Sequence, residues 1–111
     1  MSATAPALFL YRWRLHAGME DTFVGAWSDA TRALLAQGSL GSRLHRGDDG
    51  FWYGYAQWPD AARRDAARVA LADASVGARM QECIAEALPP VTLAPVADFL
   101  RPLPAAAPFQ D

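Results

Sequence analysis

Phe51-Trp52-Tyr53-Gly54-Tyr55-Ala56-Gln57-Trp58 is the stretch on which the fold turns. Side chains alternate across a strand, so Phe51, Tyr53, Tyr55 and Gln57 share one face and Trp52, Gly54, Ala56 and Trp58 the other. Neither face is polar. An aromatic ring removes roughly 150–250 Å² from water when buried, and three exposed rings would make a patch larger than a monomer usually carries. The stretch therefore reads as a strand that needs cover on both sides. Gly47-Asp48-Asp49-Gly50 before it has the residue types of a tight hairpin turn, which makes Ser39 to Arg46 its partner strand. Pro59 after it stands where a helix takes its first residue.

Working outward, Leu8 to His16 alternates, with Phe9, Tyr11, Trp13 and Leu15 on one side. Ala17-Gly18 breaks that strand. Met19, Phe23, Trp27, Ala30 and Leu34 then recur at helical spacing behind Glu20 and Asp21, with Gly38 as the stop. Pro59 to about Leu71 predicts an Ala-rich helix. After a break near 73–75, Val76, Met80, Cys83, Ile84, Ala87 and Leu88 predict another helix, ended by Pro89-Pro90. Val91 to Leu100 is the expected last strand, at an edge or a bulge because of Pro95. The order β-α-β-β-α-β is the ferredoxin-like arrangement of the α+β class: a four-stranded antiparallel sheet with helices on one face. Residues 1–100 form the expected domain and 101–111, with Pro102, Pro104 and Pro108, a proline-rich tail.

The bulk composition narrows the function classes. The chain has 111 residues, 52% hydrophobic and 20% charged, which suits one globular domain. All ten basic residues are Arg, spread from Arg12 to Arg101 against twelve acidic ones. Without a basic cluster there is no phosphate-backbone footprint, so nucleic acid is not an expected partner. No apolar run approaches the ~20 residues of a membrane span, and Met1 to Ala7 lacks the basic start of a signal peptide. A cytoplasmic protein with no membrane partner is expected. Cys83 is the single cysteine; it lies on an apolar helical face, and no Cys/His cluster has metal-ligand spacing.

Two constellations are candidates for chemistry. Between Trp52 and Trp58 only Gly54 and Ala56 intervene, which leaves a shallow gap flanked by two indoles and suited to a small aromatic ligand. Phe23 or Trp27 packing into that gap is the plainer reading, since aromatic stripes are more often core. Arg43 and His45 share one face of the second strand, beside the third, and are expected to serve the same pocket between sheet and helices as Trp52, Trp58 and Tyr55. An arginine there can hold an anionic or phenolic oxygen, and His45 or Tyr55 can serve as a base. A solvated polar strip is the alternative. If both long helices cover one sheet face, Phe51, Tyr53 and Tyr55 on the other face call for a second copy related by a two-fold axis.

Tyr55-Ala56-Gln57-Trp58, followed by Pro59-Asp60 and an Ala-rich helix, resembles the antibiotic biosynthesis monooxygenase family of dimeric α/β barrels. So does the Trp13…Gly18…Phe23…Trp27 opening. The resemblance runs from Leu8 to about Leu100. It implies a homodimer through the sheet face and a cofactor-independent monooxygenase that oxidises a small phenolic, polyketide-like substrate with O₂, using no metal, flavin or heme. It also implies that Trp58 lines the substrate cavity; Trp52, Trp27 and Phe23 are the further aromatic side chains expected to bind substrate there. The family's asparagine four residues before that tryptophan is Gly54 here, and its tyrosine six residues after is Arg64; a family arginine on the second helix corresponds to Arg79. Arg64 or Arg43 would then stabilise a phenolate. The heme-degrading branch of the superfamily relies on an asparagine and a helical histidine. This chain has no Asn, and His16 and His45 both fall on predicted strands, which disfavours heme breakdown. The alternative function is a non-catalytic dimeric small-molecule-binding or structural module of the same fold.

Overall fold

The expected aromatic strand lies inside a sheet, with a neighbour on each side. A computed structural model of the chain describes residues 5–72 and 75–104. Its elements are β1 (Ala7–Leu15), α1 (Glu20–Ala36), β2 (Gly41–Arg46), β3 (Trp52–Trp58), α2 (Ala61–Ala70), α3 (Ser75–Cys83) and β4 (Ile84–Leu93). The four strands form one sheet in the order β2-β3-β1-β4, and every neighbouring pair is antiparallel. This is the ferredoxin-like arrangement read from the sequence.

The pleat divides the aromatic residues as the alternation predicts. Trp52, Gly54, Ala56 and Trp58 are buried, whereas Tyr53, Tyr55 and Gln57 are half-buried on the other face. On β1, Ala7, Phe9 and Trp13 are buried on the helix side. Two groups of side chains make the core. Phe9, Ala56, Trp58 and Ala67 of α2 form one; Trp13, Phe23 of α1, Trp52 and Cys83 of α3 form the other. Tyr11 packs against both. Phe23 is fully buried, its ring edge-on to Trp13 at 5.2 Å and to Trp52 at 6.0 Å.

Local signals mark most boundaries. Gly38 takes a φ of +104°, the left-handed conformation that lets the amides of Gly38 and Ser39 bond back to Leu35 and Leu34 and close α1. In the hairpin turn, one Asp49 carboxylate oxygen accepts the Phe51 amide at 2.9 Å and the other accepts the Tyr53 hydroxyl. The Tyr53 hydrogen bond, more than the amide, holds Asp49 below the usual carboxylate range; the same bond raises Tyr53.

Three expectations are corrected. Pro59 does not open a helix: Asp60 is the N-cap of α2, its carboxylate accepting the Arg63 amide at 2.7 Å, which sets the helix start at Ala61. Ser39 precedes β2; its hydroxyl accepts the Gly41 amide at 2.9 Å as the chain turns into the strand. The largest change is after α3. Ile84, Ala87 and Leu88 are not helical but begin β4, and Pro89-Pro90 lies within that strand. Spacings of three and four residues fit a helix, but in the fold this segment pairs with β1 through Leu15↔Ile84, Trp13↔Ala87 and Arg12↔Leu88. The register shifts between Leu10 and Arg12, so Pro89 and Pro90 together face Tyr11 in an edge-strand bulge, where missing N–H donors cost least. The strand ends at Leu93, and Pro95 lies beyond it.

Candidate functional site

A cavity of about 160 Å³ opens between the sheet and the helices, in the gap between the two core groups. Its floor is Gly54, Ala56 and Trp58 of β3 with Tyr11 and Trp13 of β1. Trp27, Leu34 and Met80 close it from the helices, and Arg64 and Arg68 come in from α2. Trp58 is 2% exposed. The gap expected above Gly54 is filled, but not by Phe23 or Trp27. A Cβ at Gly54 would lie 2.7 Å from Trp13 Cη2 and 2.9 Å from Cζ3, with Trp27 Nε1 next at 3.7 Å. Gly54 is thus the place where the Trp13 indole, from the neighbouring strand, lies flat on the sheet. What stays open is the space beside it, toward Trp58 and Arg64.

Arg64 supplies the cavity's polar corner. One terminal nitrogen donates to the Tyr11 hydroxyl at 2.9 Å, and the guanidinium lies 4.1 Å from the centre of the Phe9 ring. The other terminal nitrogen meets Asp65 at 3.3 Å, where the Asp65 side chain is 69% exposed and that of Arg64 only 13%. Arg64 Nε is buried without a hydrogen-bond partner. A cation over an aromatic face is held in place even where water is excluded. Because Tyr11 accepts from Arg64, its own proton is free to be donated elsewhere.

The residues expected to act together fall into two sets. Gly54, Trp58, Trp27 and Arg64 meet at the cavity. Phe23 belongs to the core behind it, and Trp52, 8% exposed, borders a separate open groove of about 980 Å³ between α1 and β2. Arg43, His45 and Tyr55 lie together on the opposite sheet face: Arg43 pairs with Tyr55 and His45 with Tyr53 across the β2–β3 ladder. Arg43 and His45 are exposed, and His45 Nδ1 sits 3.2 Å from the Tyr53 carbonyl oxygen. Tyr55 borders the smaller cavity and Arg43 the larger groove at their strand positions, while strand alternation directs their side chains toward the other sheet face. Arg79 turns outward to an ion pair with Asp29 at 3.0 Å.

Tyr11, Trp13 and Met80 were not singled out in the sequence as site residues. Tyr11 was visible as part of an alternating face, but its partner Arg64 is 53 residues away, a pairing that only the fold creates. Among the described residues, no group of three or more His, Cys, Asp or Glu side chains is placed to hold a metal ion, and no helix is long and apolar enough to cross a membrane.

No family model matches the chain, and no curated protein matches it. Solved structures do. The cofactor-independent oxygenase SnoaB from Streptomyces nogalater superposes with a TM-score of 0.76 at 14% identity, over 88% of this chain and 100% of that one. A proposed antibiotic biosynthesis monooxygenase from Bordetella bronchiseptica gives 0.74 at 17% identity, over 85% and 100%. Rv0793 from Mycobacterium tuberculosis gives 0.72 at 14% identity, over 86% and 100%. These chains share the fold.

Proposed function

We propose that the chain is a cofactor-independent monooxygenase acting on a small electron-rich aromatic ring with O₂. The observation that carries the reading is the cavity beside Trp58, apolar on most sides and bounded at one corner by Arg64 and Tyr11. The likeness in fold to a cofactor-independent oxygenase adds support. A phenol with a ring C–H plus O₂ gives a quinone plus water. The four electrons taken up by O₂ come from the substrate, which is why such a reaction can run on the substrate alone. The protein's task is to hold the ring between apolar walls, to exclude water and to stabilise negative charge on oxygen as the phenol loses its proton. Arg64 and the Tyr11 hydroxyl are placed for the last of these, and Trp58 and Trp27 for the first.

Arg43, His45 and Tyr55 keep a role in this reading only if a second subunit brings them near a site, because their side chains leave the sheet on its far face. We propose a homodimer packed on that face. Leu8, Leu10, Tyr53, Tyr55, Leu88 and Val91 fall on it by register, and no helix among the described residues covers it. Beyond β4, Val96 and Phe99 are 97% and 91% exposed, apolar side chains that a second copy would shelter. The competing reading is a binding module without chemistry. It is favoured by one fact, that Gly54, where the resembled family has its asparagine, is occupied by the Trp13 contact.

Oxygen consumption and quinone absorbance, followed with a panel of hydroxylated aromatics from one to three rings, separate the two. Turnover above a buffer control that falls in Trp58→Ala supports the oxygenase. Ligand-dependent quenching of tryptophan fluorescence with no oxygen uptake for any bound phenol supports the binding module.

A further inference from the structure

The cavity is small, and its electrostatics are one-sided. An engineered cavity of about 150 Å³ in another protein is known to take up benzene; the space here is about 160 Å³. One aromatic ring fills that space, and a fused three-ring skeleton would have to extend beyond it. Trp27 sets the limit, because its indole borders both this cavity and the larger groove between α1 and β2.

The charges around the cavity are all of one sign. Arg64 and Arg68 contribute to its wall, and no Asp or Glu does. Among the described residues the Arg64 charge has one counter-ion, Asp65, and that side chain stands 69% exposed in solvent, where screening makes an ion pair worth little. Its other partners are neutral: the Tyr11 hydroxyl and the Phe9 ring. With Nε buried and unpartnered as well, the guanidinium is under-compensated for its degree of burial. A carboxylate in the cavity would accept the free Tyr11 proton and sit in the field of Arg64, giving this cation a partner on its cavity side, where no described residue supplies an anion.

We propose that the site selects single-ring aromatic acids, benzoates bearing ring hydroxyls, over neutral phenols and fused polycyclic rings. This rests on the reading of the cavity as the substrate site, but not on any turnover. The carboxylate binds at the Tyr11–Arg64 corner, and the ring lies between Trp58 and Trp27.

The test is calorimetric titration of the intact protein at fixed ionic strength with benzoate, 4-hydroxybenzoate, benzyl alcohol and anthracene-9-carboxylate. Benzoate is expected to bind at least about tenfold more tightly than its neutral isostere benzyl alcohol, the advantage of a charged over a neutral hydrogen-bonded pair. Anthracene-9-carboxylate is expected to bind more weakly than benzoate, and Trp27→Ala, which joins cavity and groove, to narrow that gap. Arg64→Gln should bring the benzoate-to-benzyl alcohol ratio close to one, chiefly through weaker benzoate binding; Tyr11→Phe should reduce the ratio in part. Should Arg64→Gln fail to fold, the wild-type ratio and Tyr11→Phe decide. Equal affinity for benzoate and benzyl alcohol overturns the proposal, as does an unchanged ratio in Arg64→Gln or a preference for the three-ring acid. A hydroxybenzoate that binds but is never oxidised removes the oxygenase reading and leaves this one standing. An anthrone that is oxidised while benzoates fail to bind does the reverse.

Discussion

Replacing Gly54 by alanine adds one methyl group to the middle of β3, and the structure says where it goes. The new Cβ would stand 2.7 and 2.9 Å from two carbons of the Trp13 indole, against an optimal carbon–carbon separation of roughly 3.5–4.0 Å. The indole must retreat by most of an ångström. Trp13 is 8% exposed and stacked at 5.8 Å on Tyr11 and edge-on at 5.2 Å to Phe23, so it has little free space to retreat into. Overpacking of this kind costs about 1–3 kcal/mol. Loss of glycine's freedom in the unfolded chain offsets about 0.4–1 kcal/mol, leaving a net destabilisation of about 1–2 kcal/mol. Urea unfolding, followed by tryptophan fluorescence at one fixed protein concentration, measures it. The companion variant Trp13→Phe shortens the ring, so in a double-mutant cycle the two substitutions should be coupled, with the double variant less destabilised than the sum by about 1 kcal/mol. A neutral or stabilising Gly54→Ala, or strict additivity with Trp13→Phe, would show that the Trp13 contact is not what excludes a side chain at this position.

The hairpin turn should respond to pH at both extremes. Asp49 is lowered from 3.8, so its contribution is present above that value and lost as pH falls through the lower folded value; Tyr53 is raised from 10.0, so its contribution is present below 10.0 and lost as pH rises through the higher folded value. Thermal melts across pH should therefore lose part of the acid limb in Asp49→Asn and part of the alkaline limb in Tyr53→Phe; profiles that merely shift in parallel with the wild type refute the assignment. Sedimentation at micromolar concentration should give twice the mass of one chain, falling to one in Leu10→Asp on the uncovered face; a single-chain mass for the wild type removes the dimer. Trp58→Ala, at a side chain 2% exposed, should cost about 3–5 kcal/mol of stability, and a loss below about 1 kcal/mol would mean that the indole is not packed as described. The Arg79–Asp29 pair, with both side chains nearly half exposed, should contribute no more than about 1 kcal/mol, so Arg79→Gln, which leaves the Asp29–Arg32 pair in place, is expected to melt close to the wild type; a larger loss would mean that the pair holds α1 against α3.

The alternating aromatics from Phe51 to Trp58 carried most of the fold. An uninterrupted two-residue period of aromatics reads as a strand, and the turn chemistry before it and the Pro59-Asp60 break after it set its ends. The same local reasoning failed from Ile84 to Pro90. There the apolar spacing fits helix and strand alike, and the decision came from Leu15 to Arg12 offering an edge to pair with, a partner about seventy residues distant that no local pattern contains.

The candidate site divides along the same line. Which face of a strand a side chain occupies follows from its parity, so Trp58 and Gly54 were legible as sharing a face of β3, and Arg43 and His45 a face of β2; that the second pair joins Tyr55 on the far side of the sheet came from the strand register. What parity cannot tell is which face the helices cover, and that choice separates the two sets across the sheet. The sequence by itself determined that Gly54 leaves room beside Trp58. Only the tertiary structure decided who takes it: Trp13 arrives from the adjacent strand over Gly54, and Arg64 arrives from α2 onto Tyr11. Both contacts depend on how strands pair and how a helix docks, and those are settled by the packing of the whole core and not by any one segment.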